Sequence, residues 1–248
     1  MAIIQSIERA MQLLELLAED KVNGFPLQVI SHRSGLKAPT CRNILSTLIG
    51  LGYISQDLQS RRYWITSKAI FGREQAMENS LIQQSLPILQ GLVHQFSETI
   101  ILCRYRNARR KTLLALQSLQ ALRVAAQEGE DEQFFTTATG RMLVSMLPAA
   151  EVKRLLKSQP GWQKQWPEFD SAQPATSLFH EIHQAGYLLL NRDNSIQALA
   201  VPVLFPKTPI YATIGMYYPL SRHSQTELPS LIGELQSAAQ QISSFSIS

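Results

Sequence analysis

The segment SGLKAPTCRNILSTL, residues 34–48, joins two helical patterns through a short turn and predicts a helix-turn-helix. A helix-compatible run over residues 27–34 stops at Gly35, where a tight or left-handed turn favours glycine. Pro39 suits the first position of the next helix, which ends at Gly50 and Gly52. The apolar face predicted for this second helix consists of Cys41, Ile44, Leu45 and Leu48.

The outer face of this helix carries hydrogen-bond donors and no acidic residue, as expected of a helix that reads DNA. Arginine pairs with guanine O6 and N7 and asparagine with adenine N6 and N7, each worth about 1–3 kcal/mol of discrimination. For any single residue a solvated helix face is the alternative, because phosphate and base contacts look alike in a sequence. The candidate DNA contacts here are Lys37, Pro39, Thr40, Arg42, Asn43 and Ser46.

The sequence on either side of the helix-turn-helix predicts a further helix and a wing. Ser6 is placed to cap the first helix, whose predicted apolar face consists of Ile7, Ala10, Met11, Leu14 and Leu17. Residues 53–56 and 63–66 are rich in aromatic and β-branched residues and predict a strand hairpin. The loop between the strands carries Arg61 and Arg62, which we expect to neutralise phosphates or enter the minor groove.

Positive charge is concentrated in the first third of the chain, although the whole chain carries a net charge of only +4. Between residues 21 and 73 Asp57 is the only acidic residue, and the rest of the chain is nearly balanced. This distribution is expected if the first third faces phosphates. The basic residues of this stretch are Lys21, Arg33, Lys37, Arg42, Arg61, Arg62, Lys68 and Arg73.

Composition and motifs of the whole chain predict a cytoplasmic protein without catalytic activity. With 248 residues and 45% hydrophobic content the chain can form one large or two ordinary domains, and it has no membrane-span-length apolar run or signal-peptide pattern. Cys41 and Cys103 form no CxxC pair, which argues against disulfides or structural zinc. The pair His180 and His183 lacks further ligands, so no metal is predicted. Hydrolase-elbow, P-loop and dinucleotide motifs are absent, and we expect no cofactor.

The remaining two thirds alternate strand and helix patterns, so the fold class is α+β with a largely antiparallel sheet in the second domain. A helix-compatible stretch leads out of the wing, and Pro87 predicts that it does not run unbroken to Ser97. The predicted strands are 99–104, 113–116, 121–125, 187–190, 198–204 and 211–217, and the predicted helices lie at 140–147, 149–157, 178–185 and 224–243.

A basic cluster in the second domain is explained by an exposed, charge-solvated hairpin. The alternative is an additional contact with DNA or another anion, because charge clusters of one sign attract anions. Its members are Arg104, Arg106, Arg109, Arg110 and Lys111.

Short motifs along nearly the whole chain resemble, in the same order, those of the IclR family of bacterial regulators. The likeness includes QSIERA for the family's QSVDRA, a TGL-x-x-x-T-x-x-x-LL turn and helix, LGYI for LGYV, and TATGR for TALGK. The residues that carry it are 5–10, 34–45, 51–54, 86–89, 97–100, 137–141, 147–148, 185–187, 200–203 and 219–222.

The resemblance implies a GAF-like α/β effector domain, homodimers or tetramers, and DNA binding modulated by a small metabolite, often an organic or aromatic acid. Three ranges follow: 1–67 for the winged helix-turn-helix DNA-binding domain, 68–85 for a linker helix, and 86–248 for effector binding and oligomerisation. The implied partners are a double-stranded, palindromic DNA operator and a small-molecule effector.

The predicted effector pocket departs from that of family members that bind small oxoacids. Those members have a cysteine where Ala198 stands and serines where Gly215 and Tyr217 fall, so donors for a carboxylate are lost here and an aromatic ring is added. The ligand is therefore larger than a small oxoacid, or absent. The candidate pocket residues, each of which also fits the lining of a dry core, are Gly129, Ala138, Thr139, Gly140, Ala198, Gly215 and Tyr217.

Two function classes follow from the sequence. The first is a dimeric, sequence-specific transcriptional regulator, modulated by a metabolite or independent of any effector. The second is a metabolite-binding or catalytic protein whose first domain mediates only protein contacts. Selective, salt-dependent binding to DNA distinguishes the first class from the second.

Overall fold

The computed structural model describes residues 4–20, 23–166, 174–192, 195–205 and 210–245, without the side chains of 70–74 and 192. The chain divides into two compact units, Met1–Asn79 and Ser80–Ser248. None of the described helices is long and apolar enough to cross a membrane.

The first unit is a winged helix-turn-helix. Its core forms where the apolar faces of its three helices meet the hairpin, and it includes Leu17, Ile30, Leu45 and Ile54, each no more than 2% exposed. The elements of this unit before the long helix α4 are α1 (Gln5–Ala18), β1 (Phe25–Pro26), α2 (Leu27–Ser34), α3 (Ala38–Gly50), β2 (Ile54–Gln56) and β3 (Arg62–Ile65).

Only part of the apolar face predicted for helix α1 turns inward: Leu17 is buried and Leu14 packs against the core. Leu13, Leu16 and Leu17 are buried, whereas Ile7 and Met11 are more than half exposed. The helix carries apolar residues on two faces, and spacing alone does not distinguish the face that packs. The predicted cap is also wrong: Ile4 occupies the cap position, and no side chain caps the helix.

Helix α4 runs unbroken from Ser67 to Phe96, so the predicted interruption at Pro87 is wrong. A proline inside a helix removes the hydrogen bond to the carbonyl four residues earlier, which belongs to Gln83. Both Pro87 and Gln83 are exposed, so water can solvate that carbonyl and the helix continues. The predicted linker helix 68–85 therefore does not end at residue 85, and the helix passes from the first unit into the second.

The second unit is built on an antiparallel sheet with strand order β6-β5-β4-β9-β8-β7. Alternate residues of its central strands, such as Ile101, Ala200 and Tyr217, form a core with Phe134 and with Met142 of the helix α5. Its elements after α4 are β4 (Thr99–Arg106), β5 (Arg109–Leu116), β6 (Gly129–Asp131), α5 (Ala138–Met146), α6 (Ala149–Ser158), a 3-10 turn (Trp162–Gln165), α7 (Ala175–Ala185), β7 (Leu188–Arg192), β8 (Ile196–Leu204), β9 (Tyr211–Pro219) and α8 (Leu228–Ser243).

Two expectations for the second unit are wrong. No strand forms over residues 121–125, where Leu122 is 68% exposed. The strand that pairs with β5 on the side away from β4 is instead the acidic segment Gly129–Asp131. The basic hairpin is not exposed throughout either, because Arg104 and Arg110 are each only 7% exposed. Alternation along β4 and β5 directs some of these arginines inward, where burial requires partners for their charge.

A buried ion pair joins two of the motifs on which the family resemblance rests. Glu98 is fully buried and accepts hydrogen bonds from Arg222 Nη1 at 2.8 and 2.7 Å, and His223 Nε2 lies 3.1 Å from Glu98 Oε1. Burial raises the pKa of Glu98, although Arg222 and His223 act in the opposite direction. The pair therefore connects the start of β4 to the turn after β9.

Replacing Arg222 with alanine is expected to lower the free energy of unfolding by about 3 kcal/mol, because it leaves a buried carboxylate without its cation. The loss is measured by urea unfolding followed by tryptophan fluorescence in a Trp64→Phe background, so that only Trp162 and Trp166 of the second unit report. Arg222→Lys, which keeps the charge, is expected to lose less, and Arg123→Ala on the exposed loop serves as the control for arginine removal.

The loss in Arg222→Ala is also expected to depend on pH. The pKa of Glu98 in the folded protein lies above its ordinary value, so protonation favours the folded state and this group's contribution falls as pH rises. Without Arg222 that pKa rises further, and the loss is therefore larger at about pH 8 than at about pH 5. Equal losses at both pH values would contradict the assignment of Glu98 as the charge that Arg222 neutralises.

Candidate nucleic-acid interface and ligand site

The turn between α2 and α3 is fixed by a glycine and two serines. Gly35 has φ of 67°, a left-handed conformation that favours glycine. The Ser31 hydroxyl donates a hydrogen bond to the Leu36 carbonyl at 2.6 Å, and the Leu36 amide donates one to Ser34 Oγ at 3.4 Å. These contacts set the direction in which α3 leaves the turn.

Helix α3 presents most of the predicted DNA contacts on one exposed face. Cys41, Leu45 and Leu48 are buried, so the residues on the opposite side of the helix point outward. Thr40 lies beside this face and is partly buried, and Pro39 is in the second helical position rather than the first. The exposed predicted residues of this region are Lys37, Pro39, Arg42, Asn43 and Ser46.

The wing is a hairpin whose tip is shaped by Asp57. Its carboxylate accepts hydrogen bonds from the amides of Gln59 at 3.0 Å and Ser60 at 2.6 Å. The hydrogen bonds from Ser60 lower the pKa of Asp57. Arg61 follows in a left-handed conformation with φ of 56° and is exposed, and the tip also carries Leu58, which is 83% exposed and was not singled out in the sequence.

The two wing arginines, treated alike from the sequence, have different surroundings. Arg62 donates hydrogen bonds from Nε to the Asn23 carbonyl at 2.8 Å and from Nη2 to the Gly24 carbonyl at 3.1 Å. Gly24 packs so closely that an added Cβ would lie 2.6 Å from the Tyr63 carbonyl oxygen. Arg62 therefore joins the segment before α2 to the wing, whereas Arg61 is directed to solvent.

Other cations of the first unit also have partners within the protein. Arg33 forms an ion pair with Glu19 at 2.7 Å, and Lys68 Nζ donates to the Leu51 carbonyl at 2.9 Å. Three exposed cations of this unit differ, because their side chains form no hydrogen bond or ion pair within the described part of the chain. These cations are Lys37, Arg42 and Arg61.

Replacing Arg62 with alanine is expected to destabilise the first unit by about 1 kcal/mol, because two carbonyl oxygens lose a charged donor. Arg61→Ala is the matched control and is expected to leave stability unchanged, since its side chain has no partner among the described residues. Amide hydrogen exchange of β3 measures both effects in the full-length protein. Equal protection in the two variants would show that the contacts of Arg62 do not hold the wing.

Six of the seven predicted ligand-site residues lie in the interior of the second unit. On the sheet, Ala198 pairs with Tyr217 and Gly215 lies opposite Ala200, and all are buried. A Cβ added at Gly215 would lie 2.5 Å from Thr139 Cγ2, so α5 packs tightly on the sheet there. The inward group consists of Ala138, Thr139, Gly140, Ala198, Gly215 and Tyr217.

Gly129 does not join this group. It lies exposed on β6 opposite Thr112, with φ of 144°. Its position was inferred from order along the chain, which did not indicate that β6 is an edge strand.

Arg110, which the sequence indicated only as a member of the basic hairpin cluster, is buried in this region. Its guanidinium contacts Asp131 through Nε at 2.9 Å and through Nη2, and Nη1 lies 3.1 Å from Thr139 Oγ1 and 3.5 Å from Cys103 Sγ. Burial opposes the charge of Arg110, but the hydrogen bond and charge of Asp131 outweigh it, and the pKa of Arg110 lies above its ordinary value. Burial also disfavours the charged form of the Cys103 thiol, and for a thiol this raises the pKa.

Two family models match the chain in consecutive order. The IclR helix-turn-helix domain matches residues 6–58, and the bacterial transcriptional regulator IclR C-terminal domain matches residues 75–244. Together these matches cover the candidate DNA interface on α3 and the whole sheet of the second unit.

Curated relatives and a solved structure agree with these matches over nearly full length. The chain is 24% identical to the HTH-type transcriptional regulator KdgR of Escherichia coli, covering 97% of this chain and 92% of the relative. It is 25% identical to the E. coli regulator XynR, covering 96% and 95%. An IclR homologue of Microbacterium hydrocarbonoxydans, solved with 4-hydroxybenzoate, has the same fold, with a TM-score of 0.54, 17% identity and coverage of 96% and 97%.

Proposed function

The chain belongs to the IclR family of bacterial transcriptional regulators, and we propose that α3 and the wing bind double-stranded DNA while the second unit binds a small metabolite that modulates this binding. The observation that carries the DNA-binding proposal is the outer face of α3. It presents Arg42, Asn43 and Ser46 to solvent beside the exposed cation Lys37, with no acidic residue on the helix.

Base reading is assigned to α3 because a helix fits the major groove and its exposed side chains suit base edges. Arg42 suits guanine and Asn43 suits adenine, whereas Lys37 and Ser46 suit phosphates. Arg61 at the wing tip supplies a further phosphate or minor-groove contact. Arg62 supports this arrangement by holding the wing, so its contribution to DNA binding is indirect.

A symmetric, dimeric or tetrameric protein is proposed because a single recognition helix reads few base pairs and paired half-sites increase specificity. The matching operator is then an inverted repeat. As a regulator bound to bacterial DNA, the protein acts in the cytoplasm, and its second unit serves ligand binding rather than catalysis.

The metabolite is proposed to bind beside Thr139, Gly215 and Tyr217. Because α5 packs on Gly215 without room for an added Cβ, α5 must move away from the sheet to admit it. A small organic acid as the class of ligand is supported by the solved IclR homologue of Microbacterium hydrocarbonoxydans, which was crystallised in complex with 4-hydroxybenzoate. In this chain the site is lined mainly by small or apolar groups with one phenol, and the guanidinium of Arg110 beside it is already paired with Asp131. This lining favours a ligand with an apolar body.

Selection of binding sites from random double-stranded DNA by the full-length protein tests the DNA-binding proposal. We expect an enriched inverted repeat with half-sites about 10 base pairs apart or a multiple of that spacing. Affinity for it is expected to fall steeply with salt, with a log–log slope of about −0.9 per phosphate contact. No enriched sequence, together with salt-independent binding, would contradict the proposal.

Arg42→Ala is expected to relax the preference at one base pair of the selected site by about 1–3 kcal/mol. Arg61→Ala is expected to weaken binding to all sites nearly uniformly and to reduce the salt slope by about 0.9. Affinities for a panel of single-base variants of the site measure both effects. Arg154→Ala, an exposed arginine of the second unit, is the control for loss of one positive charge.

If Arg42→Ala and Arg61→Ala weakened binding equally at every site, the division between base reading by α3 and phosphate binding by the wing would be wrong. If Arg154→Ala weakened binding as much as either variant, the effect would reflect net charge rather than contact.

A further inference from the structure

Arg110 is a buried cation whose hydrogen-bond donors are used by three side chains of the same unit. Its side chain is 8% exposed, and its Nε and Nη2 atoms both face the Asp131 carboxylate. Two parallel N–H donors facing two carboxylate oxygens form the arrangement by which arginine recognises carboxylates. The other terminal nitrogen contacts Thr139 Oγ1 at 3.1 Å and Cys103 Sγ at 3.5 Å.

The carboxylate in this arrangement comes from the edge of the sheet. Asp131 is the last residue of the three-residue strand β6, which pairs only with β5 among the described strands. Its side chain is 31% exposed, so the position that its carboxylate occupies is accessible to water. The same carboxylate accepts a hydrogen bond from the Gln133 amide at 2.9 Å.

The buried part of the contact belongs to the predicted ligand region. Thr139 packs against Gly215 from α5, and Arg110 reaches the Thr139 hydroxyl from β5. A guanidinium inside a protein requires a negative partner, because an unpaired buried charge is costly. The region therefore contains a guanidinium, that of Arg110, which can bind a carboxylate through two donors. The carboxylate of Asp131 occupies this position.

We infer that Arg110, positioned by Thr139, forms a carboxylate-binding site that the chain fills with its own Asp131, which excludes free carboxylic acids from Arg110. The inference deepens the proposed ligand-binding function of the second unit. Only its consequence for the choice of metabolite rests on that proposed function. A ligand of the wild-type protein then binds without a carboxylate on Arg110. An acid can reach the guanidinium only when Asp131 is removed or displaced.

The exclusion follows from the covalent attachment of Asp131. A group held near its partner by the chain has an effective concentration of about millimolar or higher. A free monocarboxylate competes with that concentration and also loses translational freedom on binding. We therefore expect the affinity of formate for the wild type to be at least about tenfold weaker than for a variant that lacks the Asp131 carboxylate.

The test is chemical rescue of Asp131→Ala with sodium formate, which supplies the carboxylate that the substitution removes. Thermal unfolding of the full-length protein is followed as formate is increased, with sodium chloride at equal ionic strength as the reference salt. Asp131→Ala is expected to unfold at a lower temperature than the wild type. Formate is expected to raise that temperature in a saturable manner, beyond the effect of chloride, because ligand binding to the folded state stabilises it.

Three controls make the result specific. The wild type is expected to show no formate effect beyond that of chloride, because Asp131 already occupies the site. Glu130→Ala removes the neighbouring carboxylate of β6, which lies 4.0 Å from Lys111 on the surface, and is expected to show no rescue. The double variant Arg110→Ala with Asp131→Ala is expected to lose the rescue seen in Asp131→Ala.

If Asp131→Ala does not fold, Asp131→Ser replaces it, because a serine hydroxyl can still accept from the Gln133 amide while leaving Arg110 without a carboxylate. Formate stabilisation no greater than that of chloride in the folded variant would overturn the inference. Equal formate stabilisation of the wild type, or rescue that persists without Arg110, would overturn it as well.

This experiment is independent of the proposed DNA binding. If the wild type selected no DNA sequence, the proposed function would fail while the formate titration would keep its meaning. If DNA selection succeeded and formate rescue failed, the self-filled site alone would be refuted.

Discussion

Burial of the apolar face of α3 is the constraint on which the account of the first unit depends. Cys41, Leu45 and Leu48 pack into the core with Leu13 and Leu17 of α1, and this packing leaves α3 no freedom to rotate about its axis. The identity of the outward residues follows from that packing and from the helical period. A helix rotated by one residue would bury polar groups and expose leucine, which costs several kcal/mol.

The position of the wing depends on a second constraint, because backbone carbonyls in the segment before α2 need hydrogen-bond donors. Arg62 satisfies two of them from β3, which also pairs with β1. One arginine of the pair is therefore structural and its neighbour is available to a partner. In the second unit the same principle acts on charge, because Arg110 and Glu98 are buried and each has its counter-ion within hydrogen-bond distance. Buried ions of this kind fix which elements must meet.

Patterns within about one helix or hairpin were readable from the sequence. The bounds of α2, the left-handed Gly35 and the wing strands follow from local spacing and turn chemistry, and the structure confirms them. The features that the sequence did not reveal depend on contacts distant in the chain. The inward face of α1 depends on which helix packs against it, and the burial of Arg110 depends on Asp131, 21 residues later. The assignment of individual DNA and ligand contacts stays a prediction, because contacts with a partner depend on the partner's atoms and not on the packing of the chain.

The measurement that most directly tests the central claim, that the outer face of α3 reads bases in the major groove, is methylation interference on the selected DNA site. Methylation at guanine N7 blocks contacts in the major groove only. We expect methylation of one guanine in each half-site to abolish binding by the wild type and to have no effect on the residual binding of Arg42→Ala. Interference unchanged by that substitution, or none at any guanine of a site that contains guanine, would contradict the account.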